Sequence, residues 1–187
     1  MTRLASISLV TLLALTALAA AGCGNKVDTA IVGETEGIYV GVDGLTYQVQ
    51  ISRILNEASP EDRAYLAGLP EGEEPAADEV WFGVFMRVEN EGDEELPAAE
   101  GFRIVDTQEE EFEPVELDPE VNAFGYEPRP VPPGELLPEL NSPASDNTIQ
   151  GSLILFKLKV QSLYNRPLEL VIESSRGGDD AVVDIDV

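Results

Sequence analysis

The reactive inventory of this 187-residue chain is narrow: one cysteine, Cys23, no histidine, and 36 Asp and Glu against 11 Lys and Arg. Without histidine, Ser-His-Asp and Cys-His catalysis are excluded, as is histidine-ligated zinc or haem. No Gly-x-x-x-x-Gly-Lys or Gly-x-Gly-x-x-Gly loop occurs, which removes the common phosphate cradles. Two carboxylates at a suitable separation suffice for glycoside hydrolysis. Among 36 acids, however, such pairs arise by chance, and the expectation is a chain that is not an enzyme.

Carboxylates also hold hard cations. Acid-rich stretches at residues 71–74, 91–95, 106–111 and 118–122 fall between expected strands, where oxygen ligands can converge on calcium. None has the twelve-residue EF-hand spacing, and Glu-rich runs are more often solvated surface. Asp106, Asp118 and Glu120 are the candidate metal ligands, because they flank consecutive strand ends. Three other features suggest binding. Trp81 and Phe85 share one face of an expected strand, either as an exposed aromatic platform or as packing beneath a loop. Arg166, within Asn165-Arg166-Pro167, is either a recognition cation in an acidic protein or the partner of a local carboxylate. Tyr126-Glu127-Pro128-Arg129-Pro130 reads as an extended recognition segment or as a plain loop.

Cys23 has a distinct context. It follows Met1-Thr2-Arg3, an apolar run over residues 4–21 and the small residues Ala20-Ala21-Gly22. Such an order reads as a lipoprotein signal peptide over residues 1–22, with Cys23 lipidated as the first mature residue. Ala20 stands where that pattern most often has Leu. A run of about 18 residues is near the lower limit for spanning a bilayer, and only Lys26 follows it as a basic flank, so a membrane-spanning helix fits less well. The expected localisation is therefore the outer face of a bacterial cell membrane.

Cleavage removes Arg3 and no acid, taking the formal charge from −25 to −26. Such a surface repels phosphate backbones and anionic headgroups across a Debye length of about 8–10 Å, so no nucleic acid is expected as partner. Lipid on Cys23, rather than charge, must hold the chain at the membrane. An envelope protein is the remaining partner class.

The elements that must position these residues read mostly as strands. Residues 23–35 have no sustained period and are taken as a lipid-anchored flexible tether. From residue 36 the pattern turns to β, with Asp43-Gly44 as a hairpin turn. Leu45, Tyr47, Val49 and Ile51 are expected on one face of the following strand. One short helix is expected over residues 59–67, capped by Ser59, opened by Pro60 and ended by Gly68. It is expected to lie across one end of a sheet. In the strand over residues 80–88, Phe82, Val84, Met86 and Val88 point inward, with Trp81 and Phe85 on the opposite face. Further strands are expected at 102–105, 111–115, 152–160, 168–172 and 181–187. Six prolines make residues 127–148 a long surface connection. The mature chain has the length of one domain with a full core.

A strand ending in Val88-Glu89-Asn90-Glu91-Gly92 is followed by Phe102-Arg103-Ile104-Val105-Asp106 and then by Pro133-Gly134. Gly151-Ser152-Leu153-Ile154-Leu155-Phe156-Lys157 comes next, before a closing Leu-Glu-Leu strand. Over about residues 36–174 this order resembles the telokin-like, immunoglobulin-like domain of unknown function in exported bacterial lipoproteins, actinobacterial ones in particular. The resemblance implies a β-sandwich outside the membrane, without an assigned activity and with no catalytic residues to carry onto this chain. The expected architecture is thus an all-β, immunoglobulin-like antiparallel β-sandwich over residues 36–187, with one short helix, behind a lipoprotein signal peptide. The expected role is a non-catalytic interaction or structural module of the cell envelope. The alternatives are a calcium-binding domain and an accessory subunit of an envelope transport or cell-wall complex.

Overall fold

Asp43 and Gly44 take φ values of 53° and 90°, the left-handed pair that a two-residue hairpin requires. They join β2 (Tyr39–Val42) to β3 (Leu45–Leu55). The computed structural model describes residues 31–185; Cys23 and the whole expected signal peptide lie outside the described residues. β3 pairs antiparallel with β4 (Glu79–Glu89), which pairs on its other side with β10 (Ser152–Lys159). The first sheet therefore runs β10-β4-β3-β2, with β9 (Leu136–Leu137) added beside the end of β4.

The second sheet is built from β1 (Val32–Gly33), β6 (Phe102–Val105), β7 (Glu111–Phe112), β11 (Leu168–Ile172) and β12 (Ala181–Ile185). Its order is β1-β12-β11-β6-β7, antiparallel except for the parallel pair of β1 and β12. β5 (Leu96–Pro97) and β8 (Pro130–Val131) form a small ribbon. Among the described residues no helix is long and apolar enough to cross a membrane.

The two sheets face each other across one core, and the chain is a β-sandwich. Val40, Tyr47, Val49, Phe82, Val84 and Met86 of the first sheet meet Phe102, Ile104, Leu170, Ile172 and Val183 of the second. Burying each large apolar side chain contributes about 1.5–3 kcal/mol, so this interface dominates stability. The inward set expected for β4, Phe82 to Val88 in alternate positions, is the set found.

Several expectations need correction. Ile51 does not follow Val49 inward, because β3 carries a bulge between Val49 and Ile51 that shifts its register on β4. One extra residue exchanges the faces of everything beyond it. Ile51 is accordingly exposed, and Leu55 joins Trp81 on the outer face. The helix over residues 59–67 shrinks to α1 (Asp62–Tyr65), without a side-chain cap from Ser59. Asp62 is held by Arg53 and by the Asn56 amide at 2.8 Å, and Gly68, at φ 75°, ends the segment as expected. It lies on the outer face of the first sheet, where Tyr65 and Leu66 pack, rather than across an end. A second four-residue helix, α2 (Pro143–Asp146), stands within the expected proline-rich connection. Val32–Gly33, assigned to the tether, pair with Val182 and Val183 as β1.

Candidate functional site

The acidic candidates do not assemble. Among the described residues no three His, Cys, Asp or Glu side chains are placed to share a metal ion. Asp106 is only 4% exposed, and its oxygens are already engaged. Oδ1 accepts the Gln108 and Glu110 amides at 2.8 and 3.1 Å, and Oδ2 accepts the Asn165 side-chain amide at 2.8 Å. Burial pushes this carboxyl up. Hydrogen bonds from the Asn165 side chain, the Glu110 backbone, Ser162 and the Gln108 backbone outweigh it and hold the group below the usual aspartate range. Asp106 is thus the organiser of a turn. Asp118 accepts the Glu120 amide at 2.9 Å in another turn, and the Glu120 side chain is exposed there.

Trp81 and Phe85 are 2% and 0% exposed, so neither ring presents a platform to solvent. They form a second apolar layer on the outer face of the first sheet, with Leu55, Tyr65, Leu66, Leu153 and Leu155. Tyr65 meets the Phe85 ring edge-on at 4.9 Å. The Trp81 indole donates to Glu57 at 3.0 Å, and Lys157 lies 5.9 Å from the ring while pairing with Glu73 at 2.7 Å. Arg166 is exposed, and its Nε donates to the Leu163 carbonyl at 3.0 Å, closing a local turn.

What covers the second layer also creates a cleft. Residues 114–126 run along β10, where Val115 donates to the Leu155 carbonyl at 2.7 Å. The chain then leaves the strand through a turn in which Val121 and Asn122 donate to the Asp118 carbonyl. It returns parallel to β10: Leu153 donates to Phe124 at 2.7 Å, and Tyr126 donates to Leu153 at 2.8 Å. Asn122 holds this excursion down. Its Nδ2 donates to the Tyr65 and Ala67 carbonyls, both at 2.8 Å, while Oδ1 accepts the Phe124 and Gly125 amides at 2.9 and 3.0 Å. Tyr126 is fixed by its hydroxyl, which donates to the Ala99 carbonyl at 3.0 Å, and by edge-on packing on Phe102 at 5.1 Å. The Tyr47 hydroxyl accepts the amide of the same Ala99 at 2.7 Å.

Because the outgoing and returning strands of this excursion diverge, a cleft of about 280 Å³ opens between them. Leu153 and Leu155 lie at its floor, Leu117 and Tyr126 line its sides, and Glu100, Glu116 and Glu127 line it without any Lys or Arg. A second cleft of about 300 Å³ continues past Asn122 and Glu127 towards Arg129, which pairs with Glu139 at 2.5 Å. Of the residues singled out by sequence, the segment beginning at Tyr126 and Asn122 of the acid-rich 118–122 stretch border this groove, whereas Asp106, Asp118, Glu120, Trp81, Phe85 and Arg166 are not in its lining. Leu117, Glu100 and Glu116 carried no signal, since strand pairing alone brings them beside Tyr126.

No family model matches the chain, and no curated protein matches it in sequence. Among solved structures it is similar to a Bacillus subtilis protein described as a candidate lipoprotein, at 12% identity and TM-score 0.52, over 82% of this chain and 39% of that one. The chain thus spans well under half of that protein. A second Bacillus subtilis protein aligns at 12% identity and TM-score 0.47, over 82% of this chain and 99% of that one. An uncharacterised β-sandwich protein from Clostridium difficile aligns at 12% identity and TM-score 0.45, over 87% and 99%. At such identities the likeness concerns the fold, and what this chain shares with the first of these proteins is the β-sandwich.

Proposed function

We propose that this chain is an exported lipoprotein, held on the outer face of a bacterial cell membrane by lipid on Cys23. Its β-sandwich acts there as a non-catalytic interaction module of the cell envelope. The observation that carries the interaction reading is the preformed cleft beside β10, an apolar floor inside an otherwise acid-coated domain. The anchoring reading draws on Cys23 behind its apolar run, and the lipoprotein description of one structural neighbour agrees with it. A telokin-like domain of the actinobacterial lipoprotein type is the family reading that the order of residues supports. An accessory subunit of an envelope transport or cell-wall complex is one form of the same role. The calcium reading has no comparable support, because Asp106 is engaged in its own turn.

Anchoring is tested by feeding an alkyne fatty acid to bacteria expressing the full chain and treating spheroplasts with protease. Wild type should take up the label and be digested from outside, whereas Cys23→Ala should remain unlabelled. Equal labelling of both proteins, or full protection of the wild type, would contradict the proposal.

A further inference from the structure

Resting on the interaction reading, we infer that the cleft between residues 114–117 and 125–128 docks an extended basic segment of another protein. One apolar side chain of that segment sits between Leu117 and Tyr126, and flanking Lys or Arg residues meet Glu100, Glu116 and Glu127. Three observations select this occupant. The first is charge: the lining holds three carboxylates and no cation, on a chain of formal charge −25, so an acidic ligand is repelled and a basic one is steered in.

The second is size and polarity. About 280 Å³ is just below the range of about 300–1,000 Å³ typical of small-molecule pockets, and it matches a few side chains of a peptide. Asn122, the amide side chain in the lining, already makes four hydrogen bonds, which leaves it no free valence to orient a small polar ligand. The third is backbone direction. The N–H and C=O of one strand residue point to the same edge, and the Leu155 carbonyl takes Val115 on the loop side. The Leu155 amide is therefore turned toward the same gap, where an extended segment can offer it a carbonyl.

The test uses the protein purified from bacteria expressing the whole sequence, in non-ionic detergent at physiological salt, with the state of Cys23 read by mass and binding by fluorescence anisotropy. The probe is a labelled Lys-Lys-Leu-Pro-Lys-Lys peptide, compared with Lys-Lys-Ser-Ser-Lys-Lys. Two charge-matched double variants separate the cleft from the general acidity: Glu116→Gln with Glu127→Gln, and Glu91→Gln with Glu95→Gln in the exposed turn after β4. The cleft pair should weaken the leucine peptide about five- to tenfold, and the turn pair less than about twofold. The serine peptide should bind about fivefold more weakly than the leucine peptide to wild type. Equal weakening by both pairs, or equal binding of both peptides, would overturn the inference. Either result with Cys23 still lipidated leaves the anchoring intact. An unlipidated Cys23 with cleft binding preserved refutes the anchoring alone.

Discussion

Removing the Asn122 side chain should loosen the cleft wall and the second apolar layer together. Asn122→Ala deletes four hydrogen bonds, two given to the Tyr65 and Ala67 carbonyls and two taken from the Phe124 and Gly125 amides, at a site 4% exposed. A typical net hydrogen bond contributes about 0.5–1.5 kcal/mol, and a buried group left without its partner loses more. Some of these partners are only part-buried and regain water. The expected loss is therefore about 3 kcal/mol, which for a domain of this size lowers Tm by about 6–12 °C. Asn122→Asp should be worse above neutral pH, since it sets a carboxylate against two carbonyls, and should recover partly as acid protonates it. The assay is thermal and urea unfolding followed by circular dichroism. An Asn122→Ala loss within about 0.5 kcal/mol of zero would refute the claim that this side chain holds the excursion onto the sheet.

Four further outcomes follow from the structure. Tyr47→Phe and Tyr126→Phe should each cost about 1 kcal/mol in urea unfolding, and because both hydroxyls act on Ala99 the double variant should depart from additivity; strict additivity would separate them. Burial pushes the Tyr47 phenol up to about 12, against a smaller lowering by the Ala99 hydrogen bond. The stabilisation it carries is full below its ordinary value of 10.0 and lost as pH rises toward 12, so absorbance at 295 nm should show late ionisation coincident with unfolding. Asp106 works in the opposite sense: its lowered carboxyl stabilises the fold above the ordinary value of 3.8 and loses this as pH falls through the folded value. Asp106→Asn should flatten the acid limb of stability against pH, and an unchanged slope would count against the turn assignment. Gly151→Ala brings a Cβ to 3.0 Å from the Phe85 carbonyl carbon and 3.1 Å from the Met86 amide, where backbone cannot yield, and should cost about 1–3 kcal/mol in the same assay.

The strands with a clear period of two, β2, β6, β12 and β3 up to Val49, were legible because each buries one face against the opposite sheet. The Asp43-Gly44 hairpin was legible from its turn chemistry. Beyond Val49 the alternation misleads, since Ile51 suits either face and only the pairing of β4 fixes the bulge. Strands of two residues, such as β1, β8 and β9, have no period to read and exist through their partners alone. The second apolar layer did leave a trace: β4 is buried continuously from Trp81 to Met86, as a strand covered on both faces must be. What covers it was not legible, because residues 62–66 and 115–124 reach the sheet through Asn122, a polar residue that resembles any loop asparagine until its four partners are known. The cleft shares that origin. Tyr126 stood out in the sequence, but its neighbours Leu117 and Glu116 gain meaning only from the divergence of two chain segments at β10.

The most direct test of the envelope assignment is the mass of the N-terminal tryptic peptide from protein purified out of the membrane fraction of an expressing bacterium. Lipid anchoring requires a peptide of residues 23–26, Cys-Gly-Asn-Lys, carrying a diacylglyceryl group on Cys23. An unmodified peptide of residues 4–26, with the apolar run still attached, would contradict it.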